Sequence, residues 1–172
     1  MERGEDTVSG SAFPAHDHHA CMASTLTAAE TLARNRGERL TPLRRRVLEI
    51  VLASHRPIGA YDVLATLARD HTRPAPPTVY RALEFLLAQG FVHRIDSLSA
   101  FIGCFAPEKA HRSRFFLCLR CGRAAEIEDA DLEHALVAAA ARAGFAAERE
   151  TVELAGVCRD CANTSSAGEA SG

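Results

Sequence analysis

The sequence predicts an α+β protein whose first part is helical and whose second part is a smaller mixture of strands and helix. Residues 24–90 contain four segments in which apolar residues recur at helical spacing, and strand-like runs dominate after residue 90. Two Cys-x-x-Cys motifs lie in the second part with 36 residues between them. The 172 residues, of which 47% are hydrophobic, can build one core or two small ones.

Composition argues against membrane-spanning and secreted proteins. No apolar run approaches the roughly 20 residues of a membrane span, and the N-terminal residues have neither the basic start nor the apolar core of a signal peptide. We therefore expect a cytoplasmic protein with no membrane partner. In that compartment, six cysteines are metal ligands or redox groups more often than disulfides.

The net charge of −2 hides an asymmetry along the chain. Residues 24–103 contain 11 Arg and 7 Asp or Glu, whereas residues 104–172 contain 8 Lys or Arg and 11 Asp or Glu. The first 23 residues contain one Arg and four acids. A mildly basic part joined to an acidic part indicates two domains with different partners. Chance scatter of surface charge is the alternative interpretation.

We place the first domain at residues 24–105 and the second at residues 106–162. Residues 1–23 and 163–172 are rich in small and polar residues, and we predict that both terminal segments are disordered. The sequence leaves open whether Met22 is the true start. It also leaves open whether a group of N-terminal side chains binds metal: His16, His18, His19 and Cys21.

Three helices are predicted before residue 75. Thr27 and Glu30 form a capping box that opens the first helix, which ends at Gly37. Thr41 is a polar N-cap followed by proline, so a second helix begins there. A third helix follows Gly59.

The fourth helix is predicted within residues 75–90, with two prolines at its start and Gly90 at its end. Its apolar stripe consists of Val79, Leu83 and Leu86. This leaves three polar or aromatic side chains facing outward, namely Thr78, Tyr80 and Arg81. Two strands follow, Phe91–Ile95 and Ala100–Phe105, and together they form a predicted hairpin.

Helices followed by a two-stranded hairpin are the order of a winged helix-turn-helix domain, whose last helix enters the major groove of DNA. Arginine is the commonest bidentate reader of guanine, and Tyr and Thr can reach phosphates or thymine methyl groups. The pattern therefore favours DNA binding by the fourth helix. The alternative is a small helical domain in which that helix only packs.

The first Cys-x-x-Cys motif is predicted to form a zinc knuckle. Cys118-Leu-Arg-Cys121-Gly122 lies between two strand-like runs, Arg114–Leu117 and Arg123–Glu128. Glycine tolerates the left-handed backbone of such a turn, and the amides of the turn can hydrogen-bond the thiolates.

The second motif, Cys158 and Cys161, follows a predicted helix, Asp129–Arg142, and a predicted strand, Phe145–Leu154. The helix is expected to turn three residues inward, namely Leu132, Leu136 and Ala140. Together the two motifs offer four thiolates for one closed tetrahedral site, which is typical of structural zinc. A thioredoxin-like redox pair is the competing interpretation, but it leaves one motif without a role.

A second group of donors straddles the junction of the two domains: His93, Cys104, His111 and Glu126. One sulphur, two nitrogens and one oxygen suit tetrahedral zinc. Taken singly, each residue has an ordinary interpretation. Cys104 can be a buried small hydrophobe, and the other three can be exposed side chains.

The winged-helix order, the segment "TVYRALEFL" and the two Cys-x-x-Cys motifs resemble the ferric uptake regulator (Fur) superfamily over residues 25–162. Within it, the chain is most similar to the zinc uptake regulators (Zur). The resemblance implies two zinc ions per chain. The four paired cysteines would form the structural site, and the second donor group would form a regulatory site: His93, Cys104, His111 and Glu126.

The resemblance also bears on the choice of metal. Iron and peroxide sensors of this superfamily usually carry a His-His-Asp-His run before the first Cys-x-x-Cys motif. The corresponding stretch here, "KAHRSRFFLC", keeps only His111. The loss of those ligands and the presence of Cys104 favour zinc over iron or manganese.

For partners, the resemblance implies a homodimer through a C-terminal α/β dimerisation domain and binding of double-stranded, palindromic operator DNA. The implied function is repression of zinc uptake genes in response to zinc, with no enzymatic activity and no small organic ligand. The resemblance also implies that Tyr61 and Arg81 contact DNA and that Arg44 contacts a phosphate, and the outward face of the fourth helix adds Thr78 and Tyr80 to the predicted DNA-binding residues.

Other functions stay open at this point. The chain can be a regulator that senses iron or manganese, or a DNA-binding protein with structural zinc only. A zinc-ribbon enzyme is a third class, but it would need a general base, and only Glu126 is available. The operator sequence, the target genes, the zinc set-point and the cooperation of two dimers on one site are not encoded in any pattern of the sequence.

Overall fold

The structure is a computed structural model that describes residues 17–70, 74–108, 113–148 and 150–166. The first domain comprises α1 (His18–Asn35), α2 (Pro42–Leu52), β1 (Ile58–Gly59), α3 (Ala60–Arg69), α4 (Pro76–Ala88), β2 (Val92–Ile95) and β3 (Ala100–Gly103). The second domain comprises β4 (Ser113–Cys118), β5 (Ala124–Glu126), α5 (Ala130–Arg142), β6 (Thr151–Gly156) and α6 (Arg159–Ser166). None of the helices in these ranges is long and apolar enough to cross a membrane.

The predicted winged helix-turn-helix is present. Strands β2 and β3 pair antiparallel around a 3-10 turn, Asp96–Leu98, and form the wing. Strand β1 pairs with β3 as a third strand, which the sequence analysis missed because it is only two residues long. Helices α2, α3 and α4 pack around one core, which also takes in part of α1 and of the wing.

The second domain is built on a three-stranded sheet in the order β5-β4-β6. Strand β4 pairs antiparallel with β5 through the Cys118–Cys121 turn, and it pairs in parallel with β6 over six residues. Helix α5 lies between β5 and β6 in the chain, as expected for a parallel crossover. The prediction of an α+β fold with a helical winged domain and a second α/β domain is therefore confirmed.

The first helix begins earlier than the predicted capping box at Thr27. Asp17 is the N-cap, and its carboxylate accepts a hydrogen bond of 3.1 Å from the amide of Ala20. The Thr27 hydroxyl instead donates to the carbonyl of Ala23 inside the helix. Residues 18–23 are thus helical and correct the predicted disorder there, while residues 1–16 lie outside the described residues.

Two further boundaries differ in the second domain. The predicted strand Phe145–Leu154 begins only at Thr151, which pairs with Ser113 at the start of β4. Before it, Gly144 (φ 63°) and the bond from the Phe145 amide to the Ala140 carbonyl close α5. Helix α6 runs on to Ser166, which corrects the start of the disordered segment predicted at residue 163. Residues 167–172 lie outside the described residues.

A small apolar cluster joins the two domains. It contains Ile95 and Ile102 from the wing, together with Phe115, Leu117 and Ala124 from the second sheet. The amide of Ala124 also donates to the carbonyl of His55, at 2.8 Å, in the loop after α2. We call this cluster the domain joint.

We expect Gly103→Ala to destabilise the protein by about 1–3 kcal/mol through overpacking. A Cβ at Gly103 would overlap Leu52 Cδ2 and lie 3.1 Å from Leu52 Cγ, and Leu52 is fully buried. Urea unfolding at a fixed zinc concentration measures the change.

Gly156→Ala is the matched control, since nothing lies within 4 Å of its Cβ position. Its free energy of unfolding should stay within about 0.5 kcal/mol of the parent. Equal stability of the two variants would mean that the wing does not pack closely on α2.

Candidate metal centres and DNA-binding face

The four paired cysteines meet at one end of the second sheet. Cys118 ends β4, Cys121 lies in the turn, and Cys158 and Cys161 flank the start of α6. Their four sulphur atoms all lie within 4.8 Å of one another. The predicted Cys₄ cluster is therefore present.

Local backbone geometry brings these sulphurs together. Gly122 takes a left-handed conformation (φ 70°), and its amide donates to the Cys118 carbonyl at 2.9 Å. The Cys158 amide donates to Cys118 Sγ at 3.3 Å and so fixes the second motif against the first. Four soft donors with no open position fit a closed tetrahedral zinc site.

Arg123 links the two motifs, and the sequence analysis did not identify it. Its Nε lies 3.4 Å from Cys121 Sγ, and a terminal guanidinium nitrogen lies 3.8 Å from Cys158 Sγ. The same guanidinium bonds the Asp160 carboxylate at 2.7 Å. One sulphur from each Cys-x-x-Cys pair therefore faces the same positive charge. An arginine directly after Cys-Gly was the available sequence signal.

The sulphurs differ in their affinity for protons. Amide hydrogen bonds from Cys121 and Cys158 lower the pKa of Cys118 to about 5, and the Arg123 side chain lowers the pKa of Cys121. The hydrogen bond with Cys158 and burial raise the pKa of Cys161 to about 12. Without a cation, the Cys118 thiol therefore ionises more readily than the Cys161 thiol. Four thiolates together require a metal ion.

A second cluster lies at the junction of the domains. His93 on β2, Cys104 after β3 and Glu126 at the end of β5 have ligand atoms within 4.8 Å of one another. His93 Nε2 lies 3.2 Å from Glu126 Oε1. Cys104 is fully buried and His93 is 8% exposed, so the interpretation of His93 as an exposed wing residue is wrong. The fourth predicted ligand, His111, lies outside the described residues.

Burial makes this second cluster suited to a cation. Burial raises the pKa of Cys104 to about 12, the Ala106 amide opposes the shift, and the negative charge of Glu126 adds to it. A thiolate in this position therefore needs a positive charge beside it. One sulphur, one imidazole nitrogen and one carboxylate oxygen form a donor set that fits zinc.

Within the described ranges, these two clusters are the groups of three or more metal-ligating side chains that can hold an ion. His18, His19 and Cys21 do not form a third. The ring of His18 instead packs on the ring of His55, with a centroid distance of 4.6 Å, and on Phe105. His16 lies outside the described residues.

The predicted DNA-contacting side chains of α3 and α4 are exposed in the first domain. Thr78, Tyr80 and Arg81 are exposed near the start of α4, and Tyr61 at the start of α3 is 74% exposed. Arg44 is held more firmly. Its guanidinium carbon lies 3.5 Å from the centroid of the Phe85 ring, and its side chain donates to the Arg39 carbonyl at 2.9 Å.

Comparison with known proteins accounts for this combination of a winged helix and a Cys₄ cluster. Residues 35–155 match the ferric uptake regulator family. The chain belongs to that family. The zinc uptake regulation protein of Escherichia coli K12 is 39% identical over 137 residues, which are 79% of this chain and 80% of that protein. The ferric uptake regulation protein of Cupriavidus metallidurans is 31% identical over 131 residues, 74% of this chain and 91% of that protein.

Solved structures of the ferric uptake regulator family give the same result. A zinc uptake regulator complexed with zinc and DNA is 35% identical, covers 84% of this chain and 97% of its own, and superposes with a TM-score of 0.79. Holo XcZur, at 42% identity, 81% coverage of this chain and 98% of its own, has a TM-score of 0.74. Apo XcZur, at 39% identity, 83% and 99% coverage, has a TM-score of 0.51. This chain therefore superposes more closely on that holo structure than on that apo structure.

We expect Cys121→Ser to lose the metal of the Cys₄ cluster and to lower the thermal stability of the second domain. A closed zinc site contributes folding energy directly, and serine is a poor zinc ligand. Zinc content by mass spectrometry and thermal unfolding on the same samples measure both effects.

Leu119→Ser is the matched control in the same turn. Leu119 is 73% exposed, so its replacement leaves all four thiolates in place. Retention of the metal by Cys121→Ser would show that the Cys₄ cluster does not hold the tightly bound zinc ion.

Proposed function

We propose that this chain is a zinc-responsive transcriptional repressor whose zinc-loaded homodimer binds palindromic operator DNA and represses zinc uptake genes. The observation that carries the proposal is the His93–Cys104–Glu126 cluster. Its three ligands come from both domains, so occupancy of the cluster depends on the angle between the DNA-binding domain and the second domain. The relatives at 39% and 35% identity, both zinc uptake regulators, support zinc as the signal.

In this proposal each chain holds two zinc ions with different roles. Cys118, Cys121, Cys158 and Cys161 hold the structural ion. His93, Cys104 and Glu126 hold the regulatory ion, together with His111 as the fourth ligand predicted from the sequence. A bound zinc ion would supply the positive charge that allows the buried Cys104 thiolate and the half-buried Glu126 carboxylate to lie together.

The three described ligands link zinc binding to the relative position of the two domains. His93 and Cys104 move with the wing, while Glu126 moves with the second sheet. They can therefore share an ion only in the domain arrangement described here, which we call the closed arrangement. Ligand binding shifts a population toward the state that binds better. A coupling of about 1–3 kcal/mol between the metal site and the DNA-binding face changes DNA affinity by roughly 5–150-fold.

The homodimer would form through the second domain. Helix α5 has no buried residue within this chain, although Leu132, Leu136 and Ala140 are half-buried as predicted. Large apolar side chains are exposed on the same domain: Phe116, Val137, Phe145, Leu154 and Val157. A partner chain covering them would place two α4 helices at a fixed distance. Helix-turn-helix dimers read half-sites about 34–36 Å apart. In the proposal, the closed arrangement of each chain sets the distance between the two α4 helices to match this spacing.

Helix α4 would read the operator. Arg81, Thr78 and Tyr80 would contact bases and phosphates in the major groove, with Tyr61 and Arg44 at the edges of the contact. The stacking of Arg44 on Phe85 holds its guanidinium beside α4.

Two alternatives make different predictions. A regulator of iron or manganese would use the same fold, but the buried thiol of Cys104 favours the softer zinc ion. A protein with structural zinc only would need just the four paired cysteines, and the second cluster would have no role. Neither alternative nor the proposal includes an enzymatic reaction.

The proposal is tested by selecting sequences from a randomised double-stranded DNA pool with the full-length protein, with and without added zinc. We expect an inverted repeat to be enriched only with zinc. Enrichment that is independent of zinc would favour the structural-zinc alternative. Enrichment by Fe²⁺ or Mn²⁺ but not by zinc would favour the other sensors.

We expect Arg81→Ala to weaken binding to the selected operator by about 1–3 kcal/mol, because a bidentate contact to a base is lost. Zinc content and oligomeric state should not change. Fluorescence anisotropy at saturating zinc measures the affinity. Arg142→Ala, at the far end of α5, is the matched control for loss of one positive charge, and unchanged binding by Arg81→Ala would mean that α4 is not the reading helix.

We expect Cys104→Ser to fold, dimerise and keep one zinc ion, but to lose the zinc-stimulated part of operator binding. The variant removes the sulphur ligand of the second cluster and leaves the Cys₄ cluster intact. His93→Ala should behave in the same way, and Glu126→Ala should be milder because water can replace one carboxylate ligand.

The measurement is operator binding titrated against free zinc, with zinc content on the same samples. Cys21→Ser is the control, since this half-buried thiol on α1 belongs to neither cluster. A parental zinc response in Cys104→Ser would overturn the sensor assignment.

A further inference from the structure

Glu153 of β6 reaches from the second domain to the tip of the wing. Its Oε1 accepts a hydrogen bond of 2.7 Å from the amide of Asp96, and its Oε2 accepts one of 3.2 Å from the amide of Ser97. Both amides belong to the 3-10 turn that connects β2 and β3. One carboxylate on the second domain thus binds two successive main-chain donors on the DNA-binding domain.

This contact lies at the opposite end of the domain joint from the second metal cluster. His93 lies three residues before the turn and pairs with Ile102 across the wing. Between the two contacts lie Ile95 and Ile102, packed with Phe115, the residue that pairs with Glu153 in the second sheet. The wing is therefore held at its tip by Glu153, along its length by apolar packing, and at its base by the metal ligands.

The chemistry of the contact favours the charged form of Glu153. Burial raises the pKa of this carboxyl group, but the hydrogen bonds from Ser97 and from the amides of Asp96 and Ser97 outweigh burial, and the pKa lies below its usual value. Hydrogen bonds from amides to a carboxylate are stronger than those between neutral groups.

We propose that Glu153 is a positioning residue that sets the angle of the wing and thereby raises the affinity of the His93–Cys104–Glu126 cluster for zinc. The metal ligands meet only in the closed arrangement, and Glu153 stabilises that arrangement without touching the metal. For an ion that binds only the closed form, the apparent dissociation constant equals the intrinsic dissociation constant divided by the fraction of molecules that are already closed. The consequence for gene regulation rests on the whole proposed function, whereas the effect on zinc binding rests only on its second zinc ion.

The test uses Glu153→Gln in the full-length protein carrying its structural zinc. Glutamine keeps the size of the side chain but turns an NH₂ group toward one of the two amides, so at most one hydrogen bond remains. Glu148→Gln is the matched control, since Glu148 is exposed in the segment before β6 and loses the same charge. Glu153→Ala is the second variant, and zinc content with thermal unfolding verifies that both variants fold.

The first measurement is amide hydrogen exchange at Asp96 and Ser97 before the second equivalent of zinc is added. We expect exchange about tenfold faster in Glu153→Gln than in the parent or in Glu148→Gln. The second measurement is the affinity for the second zinc equivalent by chelator competition. We expect it to fall about tenfold, which corresponds to about 1.4 kcal/mol and is consistent with the loss of a hydrogen bond to a charged group.

These outcomes separate the inference from the proposed function, because neither measurement uses DNA. Folded Glu153→Gln and Glu153→Ala variants that bind the second zinc within twofold of the parent would overturn the role of Glu153. Failure of the parent to select DNA would overturn the proposed repressor and leave this result standing. With the selected operator in hand, Glu153→Gln should need about tenfold more free zinc for half-maximal binding.

Discussion

The packing of the wing against the second sheet determines where the three described ligands of the second metal cluster lie. Ile95 and Ile102 of the wing are buried against Phe115, Leu117 and Ala124. Burial of apolar area supplies a non-directional attraction, and it does not by itself fix an angle. The angle depends on directional contacts at the two ends of the apolar cluster, which are made by His93 and Glu126 at one end and by Glu153 at the other.

The two cysteine-containing clusters answer different physical requirements. The Cys₄ cluster draws its ligands from neighbouring parts of one domain, and Arg123 compensates part of its negative charge. Its occupancy stabilises that domain. The second cluster draws ligands from two domains and places a buried thiol beside a carboxylate, where the thiolate form is unfavourable without a cation. In the proposed mechanism, only the second cluster would therefore connect metal binding to the relative position of the domains.

Much of the fold followed from local signals in the sequence. The proline-led starts of α2 and α4, the stripe of Val79, Leu83 and Leu86, and the Cys-Gly turn were all placed correctly. These signals depend on a few neighbouring residues. The start of α1 was missed because Thr27 matches a capping box, although its hydroxyl bonds within the helix. The register of β6 could not be read locally, since it is set by parallel pairing with β4 some 38 residues earlier in the chain, Ser113 opposite Thr151.

The candidate sites show the same division. The spacing of the cysteines predicted the Cys₄ cluster, and the mixed donor set predicted His93, Cys104 and Glu126 as a group. The burial of His93, the bridge made by Arg123 and the reach of Glu153 to the wing depend on tertiary contacts. No spacing rule relates positions 96 and 153. Residues that position a site are in general harder to predict than residues that bind the metal, because any polar side chain can position a site.

The central claim is that a second zinc ion is shared between the wing and the second sheet, and X-ray absorption at the zinc edge tests it most directly. The protein is measured with one and then two equivalents of zinc. The account predicts that the first ion has four sulphur neighbours at about 2.3 Å, and that the second adds one sulphur with nitrogen or oxygen neighbours at about 2.0–2.1 Å. A second ion without a sulphur neighbour, or saturation at one equivalent, would contradict it.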